Sequence, residues 1–396
     1  MADQNFCAAA IDATNRSTNT YIKFLSANDT GLTGGHQSGV LLSKKTCPMI
    51  FGELPNEHVA KRENIRITWQ DDVKTDSTFT WYESKGELRL TRLGRGFPYL
   101  KPEETGALFV FSRLNGDEYS AYILVSESEI EDYLTAFGLG PQDAGNMFSP
   151  NVGLAPELDE AAEIAAYVRA LGVSGGADFP LSDEVSAKAR EIQQSVHDRV
   201  DLLKADPDFK LVDYTRVEFS IFRELESQAY GPQIKNGFSD VESFVKLANT
   251  VLNRRKSRAG KSFEHHLSSI FTANELEFEE QVRTEGNKRP DFVFPSGAAY
   301  HDFAFPTEKL IILAAKTTCK DRWRQILSEA DRNKGRTHFL VTMQQGNTIK
   351  QLEEMQADNV QLVVPKQYIK AYPPQFRGGI WPLKKFIAYA KEKAAV

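Results

Sequence analysis

Two charged residues stand where the surrounding sequence makes charge costly. Asp291 opens the short apolar run DFVF, and Lys316 closes the longer run LIILAAK. An ammonium at the end of so apolar a strand needs a partner, because an unpaired charge is strongly disfavoured away from water. The spacing allows a hairpin-like return that sets both side chains at one sheet edge. A carboxylate and a lysine so placed suit the hydrolysis of a phosphodiester by metal-held water. Hard oxygen ligands hold the divalent cation, and the lysine orients the nucleophile or offsets developing charge. That chemistry needs a second carboxylate, and the position two residues before the lysine, where it commonly lies, is Ala314. Two acids can return to the same place. Glu329 lies on a stretch that reads as a helix from about Lys320 to Arg332, and Glu264 lies on a helix opening near Lys261.

Directly after Lys316 comes Lys320-Asp321-Arg322. Lysine and arginine reach guanine O6 and N7, and aspartate accepts from cytosine N4, so the triplet could read G·C pairs in a major groove. The chain carries 48 basic and 54 acidic residues, a formal charge of −6, which taken globally speaks against nucleic acid. The pattern says otherwise. Asn253–Ser262 holds Arg254, Arg255, Lys256, Arg258 and Lys261 with no acid, Lys316–Arg324 has Asp321 as its one acid, and Lys85–Lys101 has Glu87. Acids gather elsewhere, in SESEIED (126–132) and ELDEAAE (157–163). Local basic strips can neutralise phosphates on a molecule that is acidic overall.

The elements that must position these groups fall into two textures. Residues 20 to about 137 read as short strands (TYIKFL, IRITW, TFTWY, LRLTRL, ALFVFSRL, AYILV) separated by Gly, Asn and Asp, as in a barrel or sandwich. A Gly- and Pro-rich loop to 156 and a short amphipathic helix over 157–171 follow. GVSGGAD (172–178) is the natural linker between 1–171 and 179–396. Beyond it, helical spacing appears over 183–204, 215–228, 241–253 and 261–274. Strands are predicted at 278–283, 291–294, 310–317 and 338–343. The expected class is multi-domain α+β, a β-rich N-terminal part followed by an α/β core with a mixed sheet flanked by helices. Three scattered cysteines suggest neither disulfides nor zinc, and no apolar run is long enough to span a bilayer. A cytoplasmic protein is expected, without a membrane partner.

The long motifs carry a resemblance. RRKSRAGKSFEHHL (254–267), TEGNKRPDFVFPS (284–296), AYHD (299–302) and AAKTTCKDRWRQILSEADR (314–332) resemble the catalytic domain of EcoRII-type restriction endonucleases. YIKFLSANDTGLTGGHQSG (21–39) and LRLTRLGRG with PEETGAL (88–108) resemble that family's effector-binding domain. The resemblance implies a B3-like pseudobarrel followed by a PD-(D/E)xK core whose second carboxylate has moved to a helix, which accounts for Ala314.

By matching position, it implies that Glu264, Asp291, Lys316 and Glu329 form the catalytic site, with Asp291 and Glu329 as Mg²⁺ ligands and Tyr300 as an accessory residue. Lys320, Asp321 and Arg322 would read the outer G·C pairs and Asn253 would approach the minor groove; Arg255 and Arg258, in the basic strip, are expected to contact phosphates whatever the sequence. The family flips its central bases against an aromatic residue and an arginine; Phe219 keeps the first, while Thr215 replaces the second and leaves Arg216 as the alternative. In the effector domain His36, Lys85, Glu87 and Arg89 would grip DNA, with Leu41 and Leu88 where polar contacts are expected. The implied function is a homodimeric, Mg²⁺-dependent endonuclease that cuts duplex DNA at CCWGG before the first C. It would be autoinhibited until a second site binds, with a cognate DNA cytosine methyltransferase as genetic partner. Two other readings share these features: a non-catalytic DNA-binding regulator, and a repair or methyl-directed nuclease on the same core.

Overall fold

In the computed structural model, the residues described are 5–34, 39–53, 55, 60–150, 154, 156–197, 201–328 and 335–395. His36 and Glu329 therefore lie outside the described residues.

The alternating runs of the first third form a curled eight-stranded sheet: β1 (Asn19–Phe24), β2 (Val40–Leu42), β3 (Lys61–Trp69), β4 (Lys74–Tyr82), β5 (Glu87–Thr91), β6 (Leu108–Asn115), β7 (Glu118–Leu124) and β8 (Met147–Phe148). The order is β2-β5-β4-β3-β7-β6-β1-β8. All pairs are antiparallel except β3 with β7. Inward positions on successive strands bring Trp69, Trp81, Phe79, Phe109, Phe111 and Tyr119 into one aromatic core. Phe111 stacks on Tyr119 at 4.9 Å and meets Phe79 edge-on at 5.8 Å, arrangements that add to simple area burial. α1 (Cys7–Asn15) and α3 (Glu127–Ala136) pack on the opposite face of the sheet through Ile22, Phe24, Leu108 and Val110, while α2 (Cys47–Phe51) adds Cys47 and Ile50 to the aromatic core. α3 occupies the last part of the stretch expected to be strands, 20 to about 137. Ser126 caps it, its Oγ accepting from Glu129 N while the Glu129 carboxylate accepts from Ser126 N, a reciprocal cap that fixes the first turn.

The second sheet has five strands, β9 (Glu279–Glu280), β10 (Phe292–Phe294), β11 (Ile311–Lys316), β12 (His338–Thr342) and β13 (Val360–Val363), in the order β13-β12-β11-β10-β9. β10 and β11 pair antiparallel with Phe292 opposite Leu313, the expected return, and β11, β12 and β13 run parallel. Helices α4 (Leu158–Leu171), α5 (Ser182–His197), α6 (Leu202–Ala205), α7 (Pro207–Asn236) and α8 (Val241–Ala273) precede the sheet. α9 (Gly297–His301), α10 (Trp323–Ile326), α11 (Ile349–Ala357) and α12 (Leu383–Ala395) are interleaved with its strands or follow it. Ile164 and Val168 of α4 pack with Ala189 and Ile192 of α5 and Val217 and Ile221 of α7, and Phe263, Leu267 and Phe271 of α8 pack on the sheet.

Three helices depart from the predicted spans. α8 is one helix through Gly260, because Arg258 and Phe263 on either side of the glycine are buried and hold the axis straight. α7 runs on past Pro232, its late turns held by buried Ala229 and Tyr230. Of the helix predicted over 320–332, the described part is the single turn α10. The GVSGGAD segment is tied down: Ser174 Oγ donates to Asp178 at 2.7 Å, and Arg254 Nη2 donates to Gly176 O at 2.9 Å.

The two sheets meet along a polar seam. Gln344 Nε2 donates to Gly106 O at 3.0 Å, and Ala27 N donates to Ala371 O at 2.8 Å. Gly106 has φ +77°, and a Cβ there would fall 2.0 Å from Gly346 O, so only glycine permits this approach.

Candidate active site

Asp291 ends the loop entering β10, and Lys316 ends β11 beside it. Asp291 Oδ2 accepts from Ala315 N at 2.7 Å and from Lys316 Nζ at 3.2 Å. The half-buried lysine thus delivers its ammonium to a carboxylate at the end of the two central strands. α8 supplies Glu264. Gln281 Nε2 donates to Glu264 Oε2 and to Asp291 Oδ1, each at 3.1 Å, and so holds the two carboxylates side by side. Burial pushes the Glu264 carboxyl up to about 7, and the charge of Asp291 adds to this, while the Gln281 hydrogen bond and Lys316 oppose it. Two close carboxylates, one of them titrating near neutrality, form an oxygen donor set that suits a hard divalent cation. Such a cation would supply a lowered-pKa water and offset charge on the phosphoryl oxygens. Tyr300 is buried among Val282, Val293, Leu310 and Ile312, its hydroxyl donating to Glu285 at 2.7 Å.

The raised acid has a measurable sign. Between about pH 4.5 and 7 the folded chain keeps a proton on Glu264 that the unfolded chain releases. This group therefore favours the fold at low pH, and its contribution is lost as pH rises through about 7. The cation-free protein should lose Tm over that interval more steeply than Glu264→Gln. Adding a divalent cation near pH 6.5 should release about three quarters of a proton, read as buffer-dependent heat in titration calorimetry. Equal slopes and no proton release would remove Glu264 from the cation site.

The loop after β11 is engaged by α3. Glu127 and Glu131 lie one turn apart on one face of that helix. Glu127 Oε2 accepts from the backbone N–H of Lys320, Asp321 and Arg322 at 3.0, 2.9 and 3.1 Å. Its Oε1 accepts from Arg322 Nε at 2.6 Å, and Arg322 also pairs with Glu131. Thr318 Oγ1 donates to Glu131 at 2.8 Å. Lys320 is enclosed at 2% exposure and burial lowers its ammonium to about 8, Asp321 and Glu127 partly offsetting this. Farther along, Lys256 Nζ bonds Asp132 at 2.7 Å, and Arg255 donates to Glu226 and to the carbonyls of Thr135 and Ala136. A cavity of about 280 Å³ lies in this cleft, lined by Lys316, Phe219, Lys256 and Arg322 from one side and Glu131, Leu139 and Pro141 from the other.

Several expected DNA contacts are placed differently. Arg258 is not a surface base: it is 6% exposed, its guanidinium held between the rings of Phe219 and Phe222 at 4.0 and 4.1 Å. Phe219 is itself buried, with Arg258 on one face and Gly140 near its edge. Thr215 is buried and donates to Leu211 O. Arg216 does not stand in for the missing arginine, since both Nη atoms bond Glu160 at 2.7 Å and Asp213 takes a further bond. That pairing also makes Glu157, Glu160 and His197, whose donor atoms lie within 4.8 Å of one another, an ion-pair cluster. In the first sheet Lys85 is exposed and Glu87 half-buried, but Arg89 is 4% exposed and turned onto Glu87 at 3.1 Å; Leu88 is buried and Leu41 half-buried. Asn253 is exposed. Sequence reasoning missed Gln281, a neutral residue with no chemical signature, and the partnership of α3 with residues 318–322. The S-x-x-E pattern at Ser126–Glu129 could have marked the start of α3.

A curled β-sheet joined to a mixed-sheet core with a carboxylate–lysine cluster at its edge defines a two-part nuclease. The sequence family described as "EcoRII C terminal" matches residues 222–387, and that described as "Restriction endonuclease EcoRII, N-terminal" matches 14–145. The chain belongs to the EcoRII family of type II restriction endonucleases, site-specific nucleases that hydrolyse DNA phosphodiesters. It is 37% identical over 387 residues to the type II restriction enzyme EcoRII of Escherichia coli, covering 93% of each chain. Solved structures with partial likeness include metal-depleted Ecl18kI with uncleaved, modified DNA (16% identity, 61% of this chain and 85% of that one, TM-score 0.46). Another is PspGI with substrate DNA (19% identity, 55% and 93%, TM-score 0.45). The enzyme binds DNA, and enzymes of this class depend on a divalent cation. Among the described residues no helix is long and apolar enough to cross a membrane.

Proposed function

We propose that the protein is a cytoplasmic, homodimeric, Mg²⁺-dependent endonuclease that cuts duplex DNA at CCWGG before the first C. Its N-terminal part holds it idle until a second copy of the site is bound, and a cognate cytosine methyltransferase protects the host's own sites. The observation that carries this reading is the convergence of Asp291, Glu264 and Lys316 at one sheet edge, beside the Lys320–Arg322 loop clasped by acidic α3. Asp291 and Glu264, with Glu329 as a further acid from beyond the described residues, would hold Mg²⁺. Lys316 would orient the attacking water against the scissile phosphate. Lys320, Asp321 and Arg322 would read G·C edges once α3 withdraws, and Tyr300 would brace the hairpin through Val293. Lys85, Glu87, Arg89 and His36 would grip the effector copy.

Digestion of a plasmid of known sequence, with the cut ends mapped, tests the reading. Cuts at CCWGG are expected; ends at unrelated or only at methylated sites would overturn it. Arg322→Ala should weaken binding of the cognate duplex by about 1–3 kcal/mol per lost base contact while leaving random duplex little changed. Equal losses on both would make Arg322 a phosphate contact.

A further inference from the structure

Asp291 divides its two oxygens between different duties. Oδ2 is engaged inside the fold, by Ala315 N and Lys316 Nζ, whereas Oδ1 faces Gln281. Glu264 presents Oε2 to the same glutamine. A carboxylate can only accept, so the Gln281 amide turns its nitrogen to the pair and gives one of its two hydrogens to each. The backbone beneath that side chain is unusual. Gln281 has φ +53°, in the left-handed region that residues with a Cβ seldom enter. Its own N–H donates to Asp291 O at 3.2 Å. Strain of this kind persists where the surroundings dictate it, and it gathers at functional sites. Gln281 itself is exposed, just past the edge strand β9, so its side chain can leave for water without opening the core.

We propose that Gln281 is a positioning residue that holds the place of the divalent cation, its amide nitrogen standing between Glu264 and Asp291 until a cation displaces it. The inference rests on the reading of these two acids as cation ligands and adds what sets the strength of that site. Nε2 lies 3.1 Å from each oxygen, whereas a hard cation draws its oxygen ligands to about 2.0–2.6 Å. The amide hydrogens and a cation are both positive poles, so the two cannot share the gap. The amide offsets part of the repulsion between two close carboxylates, as a neutral donor can. Two consequences of removing it share one sign. The cation-free pair is left with more of its repulsion, and an arriving cation meets no competitor, so cation binding tightens. Removing a glutamine that served as a ligand through its carbonyl Oε1 would instead weaken binding. Removing one that only braced the fold would leave affinity alone. In the resting protein the placeholder thus keeps the acids aligned while raising the cation concentration at which they are filled.

The test is Mn²⁺ binding to the full chain without DNA, followed by the electron paramagnetic resonance of the free ion, beside Gln281→Met and Gln281→Gly. Methionine matches glutamine in length and has no donor; glycine removes the side chain and frees the left-handed backbone. The Asp291-dependent Kd, taken as the difference from Asp291→Asn, should fall about 10-fold in both variants, the scale of one hydrogen bond to a charged group. Melting gives the second readout. Gln281→Met should melt below the wild type in EDTA and level with it in saturating Mn²⁺, whereas loss of a bracing residue would lower both. An unchanged Kd would overturn the proposal, and a raised one would overturn it by making Gln281 a ligand. Tightening in Gln281→Gly alone would assign the effect to backbone strain and overturn it as well. A wild type with no Asp291-dependent site would overturn the cation reading itself, and the placeholder with it.

Discussion

Lys316→Ala is expected to reduce cleavage by on the order of 10³-fold while specific DNA binding in Ca²⁺ survives. The ammonium lies 3.2 Å from Asp291 at the end of β11, where on the proposed reading it would act on water and phosphate and not on a base edge. Asp291→Ala should behave alike in cleavage. It should also destabilise the cation-free fold, because Asp291 accepts from Ala315 N and steadies β10 against β11. Single-turnover cleavage and filter binding on the same oligonucleotide separate the two losses. Cleavage that persists in Lys316→Ala would place the active site elsewhere.

The second large effect is expected from Glu127→Ala/Glu131→Ala in the full chain. These two carboxylates accept three backbone N–H bonds, the Arg322 guanidinium and the Thr318 hydroxyl. Hydrogen bonds to a charged, buried acceptor suggest about 2–4 kcal/mol for the set, roughly a 30- to 1000-fold shift between closed and open forms. Plasmids bearing one site should then be cut nearly as fast as plasmids bearing several, and added site-bearing oligonucleotide should no longer accelerate the reaction. A variant slower on every substrate would mean that α3 adds affinity and restrains nothing. Tm of the variant guards against simple unfolding.

What could be read from sequence was local and chemical. The DFVF and LIILAAK runs, with a charge at the near end of each, define the β10–β11 return and place Asp291 against Lys316. The helix predicted over 157–171 and the observed Leu158–Leu171 nearly coincide, since its acidic start and Gly172 bound it on both sides. Packing decided what could not be read. Gly260 and Pro232 signal breaks, but neighbouring buried residues carry α8 and α7 through them. Arg258 looks like one more base in a basic strip, and only the placement of Phe219 and Phe222 turns it inward. SESEIED reads as a solvated acidic patch, because its partners lie almost 200 positions away, at Thr318 to Arg322.

The clasp on that loop is made in two chemically distinct parts. Arg322 contributes through its side chain, whereas Glu127 Oε2 takes three main-chain N–H groups that every residue except proline possesses. The second part is indifferent to which amino acids occupy 320–322. On the proposed reading, a descendant or an engineered relative could exchange those side chains to favour a different target and still inherit most of its restraint. Selectivity and idleness would then be partly separable traits, and variation in the first need not expose the host chromosome to an unguarded enzyme.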